Sequence, residues 1–127
     1  MPFIALLLSV KIAVTGLCVA APFLFLPTAR LAQMTGVEGG GNLFRLYGVA
    51  VLALLFGYAS GFPQIAMGYF PWGIVLMGLV SNGGAALILF ATGAWRKQRA
   101  ISVFIAAITI CLGLSCLNAK AAMAPLW

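Results

Sequence analysis

Trp95-Arg96-Lys97-Gln98-Arg99 places three of the chain's seven basic residues within five positions. On each side lies an apolar run long enough to cross a membrane. Together they read as two spanning helices joined by a short cationic turn. So short a connection predicts that the two helices are antiparallel neighbours. The turn is also the strongest orientation signal in the chain, because basic loops stay on the cytoplasmic side.

The rest of the sequence agrees. Its 127 residues are 65% hydrophobic and only 6% charged, and the mean hydropathy is +1.18. A soluble domain carries about a quarter charged residues, so this composition cannot cover a water-facing surface. The apolar runs are continuous rather than alternating, which argues against a β-barrel. The expected fold is all-α: a polytopic membrane protein in one domain, an antiparallel bundle of four transmembrane helices. The expected spans are approximately 3–26, 43–61, 71–94 and 100–118. Pro27 is expected to stop the first and Pro63 the second, while Pro71 opens the third as its first helical residue. The N-terminal run lacks a basic n-region and is broken by Lys11, and Pro22 follows the small residues Val19-Ala20-Ala21. It reads as a retained helix rather than a signal peptide.

Four spans put loops one and three on one side, with Arg30, Arg45, Arg96, Lys97 and Arg99. Lys120 and Lys11 belong to the other side. This imbalance predicts that loops one and three are cytoplasmic, that both termini face outward, and that the location is a bacterial inner membrane. The five basic residues are expected at lipid headgroups. Nucleic-acid binding is excluded as a reading, because the basic residues sit at the ends of apolar runs and not in a solvated patch. Phe62, Tyr69, Phe70 and Trp72 form an aromatic belt around loop two. In loop one, Gly39-Gly40-Gly41-Asn42 is a flexible turn with Asn42 as the expected N-cap, since a phosphate loop would need a following Lys-Ser/Thr. Leu31–Met34 are expected to form a short interfacial turn.

Lys11 is the most informative single residue. It lies about eight residues into the first span, at a depth of about 12 Å. A lysine at a helix centre costs about 2.5–3.5 kcal/mol on insertion scales. The preferred reading is snorkelling to lipid phosphate; the sharper one is a buried cation with a partner. Thr15 and Cys18 follow on the same helical face. Cys111, Ser115 and Asn118 form a second polar stripe, and Tyr58, Ser60, Ser81 and Asn82 add further polar groups. Lys11, Thr15, Tyr58, Asn82, Ser115 and Asn118 could therefore line one polar cleft, although polar glue between helices is preferred over a binding cleft. A buried Lys11 has no side-chain carboxylate on its own side, since the lone acid Glu38 is expected opposite. Its counter-charge would come from lipid, an anionic ligand, another subunit or the chain's own carboxyl end. Gly57-Tyr58-Ala59-Ser60-Gly61 is a GxxxG motif. Gly16 with Ala20, and the pair Gly83-Gly84, also mark close helix packing.

Much chemistry is missing. There is no histidine and only one acid, so imidazole ligation, His-based acid–base catalysis and paired-carboxylate mechanisms lack their parts. Cys18, Cys111 and Cys116 form no Cys-x-x-Cys pair and read as small buried apolar residues. No enzyme, metal or cofactor is expected.

The run Leu79-Val80-Ser81-Asn82-Gly83-Gly84, continuing to Gly93-Ala94-Trp95-Arg96 and an alanine-rich last span, resembles the DoxX-like group of small four-helix membrane proteins. Phe44-Arg45-Leu46-Tyr47-Gly48 is similar to relatives of that group. The resemblance covers about half the chain and implies the fold and a partner role, since some members are linked to quinone-associated oxidoreductases or redox complexes. Members often carry a glutamate at the position of Asn82, so no role resting on that acid carries over. Two functions are then expected to compete. The first is a non-catalytic accessory subunit of a larger integral membrane complex, respiratory or photosynthetic, packed through Gly/Ala faces or self-associated. The alternative is a small oligomeric carrier, or a lipid- or small-molecule-binding protein with a polar cleft near Lys11 and Asn82.

Overall fold

The computed structural model describes residues 1–127, all of whose regular structure is helical. Four helices are long and apolar enough to cross a membrane: α1 (Phe3–Phe25), α3 (Gly41–Ala66), α4 (Trp72–Ala91) and α5 (Arg99–Leu117). Two shorter helices complete the order, α2 (Thr28–Thr35) after α1 and α6 (Ala119–Met123) after α5. The only β-type pairing is an isolated bridge between Pro2 and Pro125, which brings the ends of the sequence together. Leu126 N–H donates to Met1 O beside it, at 3.1 Å.

Proline explains two departures from the expected helices. In α1, Gly16–Ala20 is wound as a π-turn. Pro22 has no N–H to offer the carbonyl four residues back, and its ring crowds that carbonyl. Ala21 N–H instead bonds Gly16 O, five residues back, and the wider turn absorbs the conflict. This rotates the residues beyond Thr15: Cys18 is exposed, off the expected polar stripe, and Val19 takes the inward place. In α3, Pro63 does not stop the helix. The chain breaks at Ser60 and restarts at Gly61, so Pro63 falls in a first turn where a missing N–H costs nothing.

Smaller corrections concern the ends. Asn42 is not an N-cap: Gly40 holds that place and α3 begins at Gly41. Pro71 precedes the first residue of α4 instead of being it. The interfacial turn at Leu31–Met34 is a full helix, α2, that buries Leu31 and closes on Gly36 in the left-handed region (φ 68°).

The driest part of the core is built where α1 meets the other helices. Ile4 and Leu8 of α1 pack with Tyr58, Val75 and Leu112, all essentially inaccessible. Gly78 makes this approach possible, since a Cβ there would sit 2.7 Å from Leu112 Cδ1. Only 24 of the 127 residues are buried. The outer face of the long helices is therefore apolar, with Leu17, Phe25, Val80, Leu87 and Leu117 among the most exposed side chains.

Candidate functional site

Lys11 does not snorkel. It is 6% exposed, and its Nζ donates across the helix interface to Asn82 Oδ1 of α4. The assignment of that amide follows from chemistry, because an ammonium has only donors and must meet the oxygen. Asn82 Nδ2 then spends both its hydrogens, one on Tyr58 OH at 2.9 Å and one on Gly78 O at 2.7 Å. Tyr58 OH shares a hydrogen bond with Ser81 Oγ at 3.2 Å. The Phe104 ring of α5 lies 5.5 Å from Lys11 Nζ, within cation–π range. All four long helices thus contribute to the surroundings of one ammonium.

The network is satisfied at Asn82 and unsatisfied at Lys11 and Thr15. Two of the three ammonium hydrogens have no acceptor among these groups. Thr15 is 7% exposed, and its Oγ1 has no hydrogen-bond partner at all. Only Ser102 Oγ, on α5 and not lining the cavity beside Lys11, shares this state. Ser9, Thr35, Thr92, Thr109 and Ser115 each donate to the carbonyl four residues back. Thr15 has the same option on the same kind of helix and does not take it.

Thr15 and Lys11 line a cavity of about 70 Å³ between α1, α3, α4 and α5. Its polar end is Lys11, Thr15, Tyr58, Ser81 and Asn82; the remainder is mostly apolar, with Val19, Val51, Leu54, Leu55 and Ile105. No three His, Cys, Asp or Glu residues converge anywhere to hold a metal ion. Glu38, the only acid, is exposed in the loop after α2, beside Gly36 and Lys97.

Four of the six residues expected in one cleft therefore meet: Lys11, Thr15, Tyr58 and Asn82. Ser115 and Asn118 do not. Ser115 is buried but spends its hydroxyl on Cys111 O of its own helix. Asn118 is exposed and caps α6, accepting from Ala121 N–H at 3.1 Å. Ser60, exposed, bonds Gly57 O. The residues the sequence reading missed are Phe104 and Gly78. The Gly78-x-x-x-Asn82 spacing carried the signal for the second, since it sets the amide over a bare turn of the same helix.

The expected packing glycines divide. Gly57 faces Met77, and Gly61 faces Leu8 and Ile74. Gly16 and Gly83 make ordinary approaches to Leu55 and Thr109, and Gly84 meets nothing. Close approaches between long helices also occur at Gly78, against Leu112, and at Gly48, which lies against Leu24 and Phe23. Among the basic residues, Arg45 departs from its expected role at the lipid headgroups. Its guanidinium donates to Phe23 O and Leu26 O, both at 2.7 Å, and so satisfies the open carbonyl end of α1. Lys97 lies over Gly36, and Gln98 Nε2 donates to Thr35 O at 2.8 Å, tying the cationic turn to α2. Arg30, Arg96 and Arg99 are exposed.

Comparison with protein-family models, with curated proteins and with solved structures finds nothing that matches this chain.

Proposed function

We propose that the chain is a non-catalytic, membrane-embedded binding protein. It spans the bilayer as an antiparallel four-helix bundle and holds a small polar group in the cavity beside Lys11. One observation carries the reading: Thr15 keeps its hydroxyl unspent on a cavity that also receives unspent ammonium hydrogens. Polar glue would pair its groups with each other, as Asn82, Tyr58 and Gly78 do. Buried donors left over in a low-dielectric interior cost free energy unless something accepts from them. The orientation follows from the basic residues of loops one and three, which favour the cytoplasmic side of an inner membrane and leave both termini outside. The link from Gln98 to Thr35 supports a shared side for those two loops.

The test is native mass spectrometry of the protein released from mild detergent, wild type against Lys11→Met. A small-molecule adduct on the wild type, absent from Lys11→Met, is the expected result. Bare protein in both samples contradicts the reading.

A second reading, an accessory subunit of a larger membrane complex, has its own support. α4 is the least covered of the four long helices, and Gly73 and Gly84 on it have no neighbour within 4 Å. Bare turns of this kind admit a partner helix closely. Recovery of larger subunits with the tagged protein, lost in Gly84→Leu, supports this reading; recovery unchanged by that substitution contradicts it.

A further inference from the structure

The chemistry of the leftover groups narrows what the cavity takes. We infer that it binds the carboxylate of a monoanionic amphiphile, with Lys11 and Thr15 as the groups that hold the two oxygens. The inference rests on the binding reading above and adds the class of ligand.

Three observations converge. The first is donor count. Lys11 can only donate, and two of its hydrogens are unspent; Thr15 has a hydroxyl hydrogen without an acceptor. Asn82 is already fully used on its nitrogen side. The occupant must therefore supply acceptors. Lys11 and Thr15 are four residues apart on α1, with Cβ atoms about 5–6 Å apart, and the two oxygens of one carboxylate suit donors so placed.

The second is charge. One buried ammonium is present, and no side-chain carboxylate lies near it; Glu38 is exposed beyond the far end of α1. A monoanion cancels that charge. A dianion such as a phosphate monoester would leave a net negative charge in the interior, and a neutral acceptor would leave the positive one. The third is shape. About 70 Å³ is roughly the share of two liquid waters, enough for a planar carboxylate and its first methylene groups. Beyond the polar end, Val51, Leu54 and Ile105 line the space together with Tyr47, a mostly apolar wall that suits an alkyl chain.

The carboxylate could belong to a free short-chain acid or to a fatty acid of the bilayer. The probes are carboxyl-¹³C oleate and carboxyl-¹³C acetate, titrated into the protein in nanodiscs of zwitterionic lipid and followed by the carboxyl resonance. Oleyl alcohol and inorganic phosphate are the controls. Saturable binding of oleate, at least tenfold weaker in both Lys11→Met and Thr15→Val, is the expected result. Acetate competing at similar concentration assigns the site to free carboxylates; acetate failing to compete assigns it to the membrane acid.

Thr15→Val guards against a merely misfolded variant. It removes an unpartnered hydroxyl, so its melting temperature without ligand should equal or exceed that of the wild type while oleate binding falls. Oleate binding unchanged in both variants overturns the inference. Oleyl alcohol or phosphate binding as tightly as oleate overturns the carboxylate assignment and leaves the binding reading standing. No binding of any probe, together with no adduct in native mass spectrometry, removes both.

Discussion

α1 and α5 carry similar polar stripes and use them in opposite ways. On α1, Lys11 and Thr15 face the interior with donors to spare. On α5, Ser115 turns its hydroxyl back onto Cys111 O, and Asn118, just past the helix, caps the next one. A hydroxyl in an apolar helix can find an acceptor in its own backbone, as Ser115 does and Thr15 and Ser102 do not, so its spacing alone does not mark a site. An ammonium cannot be satisfied so cheaply. It needs a partner on another helix, and Lys11 recruits Asn82, which in turn fixes Tyr58 and Gly78.

The difference is open to attack by substitution. Asn82→Leu should have the largest effect, because it strands Lys11 and removes the amide that donates to Tyr58 OH and Gly78 O. A loss of about 2–3 kcal/mol is expected in unfolding of the detergent-solubilised protein. Gly78→Ala should follow, at about 1–3 kcal/mol, since the new methyl meets Leu112 and Tyr58 at overlapping distance. Gly84→Ala is its control and should show no loss, having open space around it. Arg45→Met gives up two charge-assisted bonds to the end of α1 and should cost about 1 kcal/mol, read as a lower melting temperature. The smallest change belongs to α5: Ser115→Ala should fall within about 0.5 kcal/mol of the wild type. A loss there as large as that of Asn82→Leu would erase the contrast between the two helices.

How far the fold could be read in advance follows the same division. Helix number and approximate bounds were legible, because continuous apolar runs about 20 residues long admit few other structures. The helix ends were less so. Pro63 looks like a stop and lies in a restarted first turn, and Pro22 reshapes α1 into a π-turn that carries Cys18 off the inner face. Both outcomes depend on how a neighbouring turn accommodates a missing N–H, which residue order does not state. Lys11 was recognisable as costly at its depth. Its direction was not, since snorkelling and burial differ only in whether a partner waits across the interface. Asn82 supplies that partner, with its amide nitrogen held by Gly78 O and Tyr58 OH so that its oxygen is left for Lys11. The role of Arg45 was hidden for a similar reason: a basic residue near a helix end suits a headgroup and a carbonyl terminus equally well.

The bond between Lys11 and Asn82 ties α1 to the rest of the site. A double-mutant cycle measures it directly, with Lys11→Met, Asn82→Leu and the pair unfolded in one detergent. The two changes should not be additive, with a coupling of about 1–2 kcal/mol. Additivity to within about 0.5 kcal/mol would mean that Lys11 finds its partner elsewhere, and would contradict that bond.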